Sequence, residues 1–120
     1  MLAASERDAV TAKWHSAFRI VIPNTLNQGK HCLSFAYHMF GHHTGTLSVV
    51  RVTQTGDVTP WSISGNQENQ WFRTSLELSA EDDDMIGFIG ELTGIYTSDI
   101  ALDAIELRAG TCPHAGIILA

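Results

Sequence analysis

The sequence predicts an all-β fold, a jelly-roll-like antiparallel β-sandwich, and three observations support this prediction. Apolar and polar residues alternate over several short segments, which is the period of a β-strand. Turn-forming residues separate these segments at intervals of roughly ten residues, as is typical of sandwiches. No apolar repeat at helical spacing follows residue 17. At 120 residues, the chain has room for one domain with a single core.

Seven alternating segments follow one another along the chain. They are residues 18–22, 33–39, 47–49, 61–63, 72–78, 85–89 and 100–107. In the last segment, Ala101, Asp103, Ile105 and Leu107 are predicted to share one face. Turns are predicted at residues 54–57 and 65–66, where glycine and asparagine occur. The predicted core residues are Phe35, Tyr37, Leu47, Leu76, Leu78, Phe88, Ile100 and Ile105.

The two ends of the chain lack this alternation. In residues 1–16, Ser5 followed by Asp8 predicts the cap of a short helix that reaches Trp14. Residues 113–120 form an apolar tail that is expected to be truncated.

The composition excludes some partners. Seven Lys and Arg residues against thirteen Asp and Glu residues give a net charge of −6, so the chain repels phosphate backbones and no nucleic-acid partner is expected. No apolar run is long enough to span a bilayer, so no direct membrane insertion is expected. The first eight residues lack the basic and apolar regions of a secretory signal. The chain is therefore expected to be cytosolic, or a piece of a longer secreted protein.

Two cysteines, Cys32 and Cys112, lie 80 residues apart. This spacing is too long for a CxxC redox or zinc motif, and two thiols cannot complete a structural zinc site. From the spacing alone, two interpretations stay open. The cysteines form one long-range disulfide in an oxidising compartment, or they are two buried free thiols in a cytosolic protein.

Histidines are the first candidates for metal ligands. His38 and His42 have the spacing of a helical zinc site, but no Glu lies between them and the local pattern predicts a strand. On a strand they would lie about 13–14 Å apart, whereas ligands of one zinc ion each lie about 2 Å from it. We therefore interpret them as surface or turn residues and predict no tight zinc site.

Catalytic motifs are also missing from the sequence. It contains neither a GxSxG elbow nor a glycine-rich phosphate-binding motif, and Gly87, Gly90 and Gly94 are interpreted as bends or positions of close backbone approach. The acidic run 81–84 lacks the ligand spacing of an EF-hand and predicts a solvated turn. Trp61 and Trp71 are predicted to lie in the core. We predict no enzymatic activity, no catalytic residues and no resident cofactor.

Several segments occur in an order that is characteristic of one family. They are 32–41 (CLSFAYHMFG), 45–49 (GTLSV), 61–67 (WSISGNQ), 70–71 (QW), 99–105 (DIALDAI) and 110–112 (GTC). Together they resemble the MAM domain, a module named after meprin, a neuropilin and a receptor tyrosine phosphatase. The resemblance is strong over residues 32–112 and extends weakly back to residue 17. The domain is thus expected over residues 17–112, with residues 1–16 outside it because they lack the family's N-terminal cysteine pair.

This resemblance implies a jelly-roll β-sandwich of the kind that occurs in ectodomains of adhesion receptors, receptor phosphatases and secreted or membrane-bound proteases. It implies a disulfide between Cys32 and Cys112, an extracellular location, and binding to an extracellular protein or to a second copy of the chain. Some family members bind a cation near an acidic pair in the last strand. Asp103 matches the first member of that pair and Ala104 replaces the second, so Asp103 is the candidate calcium ligand.

Two other functions remain as alternatives. A carbohydrate-binding jelly roll would stack a sugar ring on an exposed aromatic residue such as Trp61 or Tyr96. An accessory domain of a larger protease or receptor phosphatase would have its chemistry outside these residues.

Overall fold

The computed structural model describes residues 10–13, 17–41, 45–91 and 99–113. Within these residues the chain forms eight strands: β1 (Val10–Lys13), β2 (Ala17–Val21), β3 (Gly29–Phe40), β4 (Thr46–Thr53), β5 (Gly56–Ser64), β6 (Phe72–Ala80), β7 (Met85–Glu91) and β8 (Asp99–Ala109). No helix in these ranges is long and apolar enough to cross a membrane.

The strands form two four-stranded antiparallel sheets, with the orders β1-β8-β3-β6 and β2-β7-β4-β5. We call these the first sheet and the second sheet. Consecutive strands change sheet except at the β4–β5 hairpin, whose turn at Gln54 and Thr55 lies where the sequence predicts one. The prediction of an all-β, jelly-roll-like sandwich is therefore confirmed.

The core lies between the two sheets and is built around aromatic residues. The Phe35 ring meets those of Trp61 and Phe88 edge to face, at centroid distances of 5.3 and 5.1 Å. Tyr37 stacks on Phe72 at 5.6 Å. Seven of the eight predicted core residues are buried: Phe35, Tyr37, Leu47, Leu78, Phe88, Ile100 and Ile105. The eighth, Leu76, packs against the core but is only partly buried, because its strand β6 lies at the edge of the first sheet.

The N-terminal segment departs from the predicted helix. Val10–Lys13 form strand β1, which pairs antiparallel with residues 99–102 of β8. The prediction of a helix is therefore wrong for these four residues, because pairing with a sheet overrides a weak local capping signal. The predicted cap at Ser5 and Asp8, and Trp14, lie outside the described residues.

The last strand contains an irregularity that interrupts the predicted alternation. Ala104 has a φ of 53°, and the pairing of β8 with β3 shifts register between Ser34 and Ala36. This bulge inserts one residue into β8. Odd-numbered residues before the bulge therefore point to the opposite face from odd-numbered residues after it. Ala101 and Asp103 therefore lie on the outer face of the first sheet, whereas Ile105 and Leu107 face the core. The prediction that all four share one face is wrong.

Two glycines in β7 allow close approach between neighbouring strands, as predicted. A Cβ atom on Gly90 would lie 2.3 Å from the Phe18 ring, and one on Gly87 would lie 2.7 Å from the Ile20 carbonyl oxygen. Neither position has room for a side chain. Gly94, the third glycine of this group, lies outside the described residues.

Candidate functional site

The outer face of the first sheet carries a disulfide at one end of β3. Cys32 bonds Cys112, with an S–S distance of 2.10 Å and a Cα–Cα distance of 4.9 Å, as the family resemblance implies. Cys112 follows β8, so the bridge holds the chain against the neighbouring strand β3. The Cys112 N–H also donates to Glu77 Oε2 on β6 at 3.2 Å. The chain after β8 is thus attached to two strands of this sheet.

At the other end of β3, exposed aromatic residues form a cluster on the same face. We call His38, Phe40, Asn69 and Trp71 the aromatic patch. The His38 ring lies 5.4 Å from Trp71 and 6.3 Å from Phe40 between centroids, and His38 Nε2 lies 3.0 Å from Asn69 Oδ1. Phe40 is 43% exposed and Trp71 48% exposed. Exposed apolar side chains that lie together in a patch, unlike single scattered ones, are typical of binding surfaces.

The position of Trp71 corrects the prediction that it lies in the core. Trp71 precedes Phe72, which packs against the core, and alternation therefore directs Trp71 outward together with Arg73. Trp61 is partly buried and packs against Phe35 and the core, as predicted. It is therefore not the exposed ring that a sugar platform requires. Tyr96, the other candidate platform, lies outside the described residues.

The candidate calcium ligand, Asp103, lies next to the bulge of β8. Its Oδ1 accepts a hydrogen bond of 2.8 Å from the backbone N–H of Ala104. Among the described residues, no three His, Cys, Asp or Glu side chains come together as a metal site would require. Calcium binding by Asp103 stays a prediction.

The acidic run 81–84 is more structured than the predicted solvated turn. Asp84 is 2% exposed, pairs with Arg51 and accepts the Glu81 N–H at 2.9 Å. Burial raises the pKa of Asp84, but the Glu81 N–H and the positive charge of Arg51 outweigh it, and the pKa lies below its ordinary value. The prediction is correct for Asp82 and Asp83, which are exposed, and wrong for Asp84.

The acidic run also anchors the loop between β2 and β3. Leu26 N donates to the Asp84 carbonyl at 2.8 Å, and Asp83 N donates to the Leu26 carbonyl at 2.8 Å. Asp82 Oδ1 accepts the Gln28 N–H at 2.7 Å. The carboxylates and backbone of the run therefore hold two loops together at one end of the sandwich.

The histidines are dispersed over different surroundings. His38 belongs to the aromatic patch, whereas His31 is buried on β3 with Nδ1 3.3 Å from the Gly29 carbonyl oxygen. His42 and His43 lie outside the described residues.

The outer face of the second sheet, where the structure describes it, carries an ion pair instead of aromatic residues. Arg19 and Asp57, 2.9 Å apart, join its two edge strands.

Solved structures with a similar fold are sandwiches of low sequence identity. One is a family 16 carbohydrate-binding module, with a TM-score of 0.60 and 11% identity over 81% of this chain and 73% of that one. Another is a family 61 carbohydrate-binding module in complex with β-1,4-galactotriose, with a TM-score of 0.57 and 13% identity over 85% of this chain and 70% of that one. At these identities the likeness shows the fold alone.

Sequence relatives are closer. This chain is 40% identical over 87 residues to human MAM domain-containing glycosylphosphatidylinositol anchor protein 1. The aligned region covers 70% of this chain and 9% of that protein. It is 40% identical over 86 residues to mouse MAM domain-containing protein 2, covering 70% of the chain and 12% of that protein. Human nephronectin is 33% identical over 107 residues, or 87% of the chain and 19% of that protein. The chain therefore spans a small part of the length of these relatives.

The family model for the MAM domain, meprin/A5/mu, matches residues 4–113. The match begins before the domain start that the sequence predicts at residue 17, and it includes strand β1. The order of motifs, the disulfide and the sandwich all agree with this match. The chain belongs to the MAM domain family.

Proposed function

We propose that this chain is an extracellular, non-catalytic module that binds another protein through the aromatic patch. The carrying observation is the exposure of Phe40, at the end of β3, and Trp71, directly before β6, whose rings both lie next to that of His38. Tryptophan is enriched among the residues that dominate the energy of protein interfaces. Because the paired strands β3 and β6 position the backbone at both rings, less conformational entropy is lost when a partner binds than at a flexible loop.

Two further observations support the extracellular location. Disulfides such as Cys32–Cys112 form and persist in oxidising compartments, which include the cell exterior. One group of relatives is named for a glycosylphosphatidylinositol anchor. This chain corresponds to a small part of its relatives' length. A protease or phosphatase activity of a larger protein would therefore be carried by other domains.

The chemistry of the strands supports a non-catalytic role. The hydroxyl pairs that the described strands bring together are Ser34 with Ser75, at 3.2 Å, and Thr46 with Ser64, at 2.9 Å. Neither pair contains a base that would activate a nucleophile. Asp84, whose pKa departs from its ordinary value, is occupied by Arg51 and by the backbone of its own turn. This arrangement is structural and leaves the carboxylate no access to a substrate.

Carbohydrate binding is the second candidate, since Trp71 offers an exposed ring next to the amide of Asn69. Protein binding fits the patch better for two reasons. The Asn69 Oδ1 already bonds His38, so it is less available for a sugar hydroxyl. Phe40 also extends the surface with apolar area that offers a sugar no hydrogen bond, whereas a protein interface core is apolar.

Cell staining separates the two candidates. Biotinylated protein loaded on fluorescent streptavidin gains avidity from four copies, so weak binding to cultured cells becomes visible. We expect staining to disappear after protease treatment of the cells and to survive enzymatic removal of their glycans. Trp71→Ala should reduce staining about tenfold. The matched control is Val58→Ala, because Val58 is 45% exposed on the second sheet and lies outside the patch.

Staining that survives the protease but disappears with the glycans would support the carbohydrate candidate and contradict protein binding. Equal staining by the Trp71→Ala and Val58→Ala proteins would show that the aromatic patch is not the binding surface.

A further inference from the structure

Strand β6 is an edge strand of the first sheet among the residues that the structure describes. Phe72–Ala80 pair with β3 at nine consecutive positions, from Gly29 opposite Ala80 to Tyr37 opposite Phe72, without a register shift. In the described part of the chain no strand pairs with its other side, because β6 ends the order of the first sheet. The open side presents backbone N–H and C=O groups that can extend the sheet.

The other edge strands carry features that discourage such pairing. β1 has four residues and β2 has five, so each offers few hydrogen bonds. β5 has nine residues, but it contains Pro60, which lacks an N–H, and its pairing with β4 shifts register between Val49 and Arg51. β6 contains neither proline nor bulge. Among these four edges it is the one suited to pair with another strand.

The charges on β6 fit a second copy of the same strand. Arg73, Ser75 and Glu77 are exposed on the outer face of the sheet. In an antiparallel pair with a twofold axis at Ser75, Arg73 of each copy lies directly opposite Glu77 of the other. Directly opposed side chains have Cβ atoms about 4.5–5.5 Å apart, within reach of an ion pair. The same contact forms twice, as a twofold interface requires.

Neighbouring registers lose these ion pairs, so the charges also select the alignment. A shift of the axis to Leu76 places Arg73 opposite Ser79 and Glu77 opposite Ser75. With the axis at Ser75, the row continues to Trp71, which then lies opposite Ser79 of the second copy. The core-facing side chains Phe72 and Leu76, which are only partly buried at this edge, gain cover from the second copy.

We propose that β6 is a self-association edge, which joins two copies of this chain into a continuous sheet through antiparallel β6–β6 pairing centred on Ser75. This inference goes beyond the proposed function, because the β6 edge is a second contact surface and its partner is a second copy of the chain. Glu77 Oε2 accepts the Cys112 N–H, and no partner of Oε1 is found among the described residues, so Oε1 can take part in the pair with Arg73 of the second copy.

Charge exchange tests the interface. Analytical ultracentrifugation of the purified chain over a concentration series, up to about 1 mM, measures the dimer dissociation constant. Arg73→Glu places four glutamates in two opposed pairs and should raise this constant about tenfold or more. Glu77→Arg should do the same with arginines. An equimolar mixture of the two variants should recover dimers, because every opposed pair is then Glu with Arg.

Two further variants keep the test independent of Glu77 and its bond to Cys112. Ser75→Lys brings two like charges together at the twofold axis and should also weaken the dimer. Arg108→Glu is the matched control, since Arg108 is exposed on the same face but lies on β8, away from the β6 edge. It should leave the dissociation constant unchanged, and thermal unfolding confirms that each variant is folded.

The self-association proposal is overturned if the chain stays monomeric throughout the series, or if dimers form but respond equally to Arg73→Glu and Arg108→Glu. It is also overturned if the mixed variants remain monomeric. A monomeric chain that still stains cells through Trp71 leaves the proposed function intact. Dimers that form as predicted without any cell staining count against the aromatic patch alone.

Discussion

Strand β3 carries two rows of side chains with different roles. The inner row is buried and consists of Leu33, Phe35, Tyr37 and Met39. The outer row consists of Cys32, Ser34, Ala36, His38 and Phe40. The inner row packs against the second sheet, whereas the outer row holds the disulfide at one end and the aromatic patch at the other. Two phenylalanines, five positions apart, are thus 0% and 43% exposed.

One strand thus contributes to both stability and recognition. Because successive side chains point to opposite faces, the inner row can consist of apolar side chains that pack in the core while the outer row carries side chains for other roles. Burial of apolar area stabilises the fold in proportion to the area removed from water, so the inner row carries most of this energy. The outer row contributes little burial apart from the disulfide, and its exposed aromatic rings remain available to a partner.

The largest expected effect is in the inner row. Phe35→Ala removes a fully buried ring that contacts Trp61 and Phe88, and leaves a cavity. We expect it to lower the free energy of unfolding by about 3–5 kcal/mol. Chemical denaturation followed by tryptophan fluorescence measures this loss. A loss below about 0.5 kcal/mol would mean that the inner row is misassigned.

The disulfide in the outer row should have the next largest effect. Cys112→Ser opens a loop that spans 80 residues of sequence, so the unfolded chain gains conformational entropy. We expect the free energy of unfolding to fall by about 2–5 kcal/mol. Mass spectrometry after alkylation without reduction is the control, and it should detect no free thiol in the parent protein. Labelling of both thiols in folded protein would contradict the bridge.

The ion pair of Asp84 lies in neither row, and it makes stability depend on pH. The pKa of Asp84 is lower in the folded protein than its ordinary value of about 4, so the ionised form stabilises the fold. This contribution is fully present above about pH 4 and is lost as the pH falls through the lower folded pKa. Asp84→Asn should cost about 1–3 kcal/mol at neutral pH, because Arg51 loses its charged partner.

The pH dependence distinguishes this explanation from a simple loss of packing. Melting temperatures of the parent and the Asp84→Asn protein should converge as the pH falls below about 4. Asp83→Asn is the control, since Asp83 is exposed in the same run and should change little at any pH. A difference between the parent and Asp84→Asn that stays constant down to low pH would contradict the stabilising role of the charge.

The alternation of the sequence predicts the two rows well, because burial on one face produces a regular pattern. The assumption of unbroken alternation hides the bulge at Ala104. The large apolar residues do change phase there, because Ile100 and Leu102 precede the bulge and Ile105 and Leu107 follow it at odd spacing. The alternation also does not reveal the burial of Asp84, because the stabilising partner, Arg51, lies 33 positions away in the sequence. Such pairs depend on how the sheets bring distant turns together.

The prediction that Trp71 lies in the core failed for a different reason. The preference of tryptophan for burial predicts a core position, but the alternation with Phe72 and Arg73 predicts an outward one, and the structure follows the alternation. The signal was therefore present in the sequence. The other members of the aromatic patch come from the end of β3 and from the loop before β6, and the pairing of these two strands brings them together.

The most direct test of the two roles makes the same substitution in both rows of β3. Phe35→Ala and Phe40→Ala remove identical side chains, so their difference reports only the position. We expect Phe40→Ala to change the free energy of unfolding by no more than about 0.5 kcal/mol and to lower cell staining about tenfold. A loss of stability at Phe40 comparable to that at Phe35, or full staining by the Phe40→Ala protein, would show that the two rows do not have separate roles.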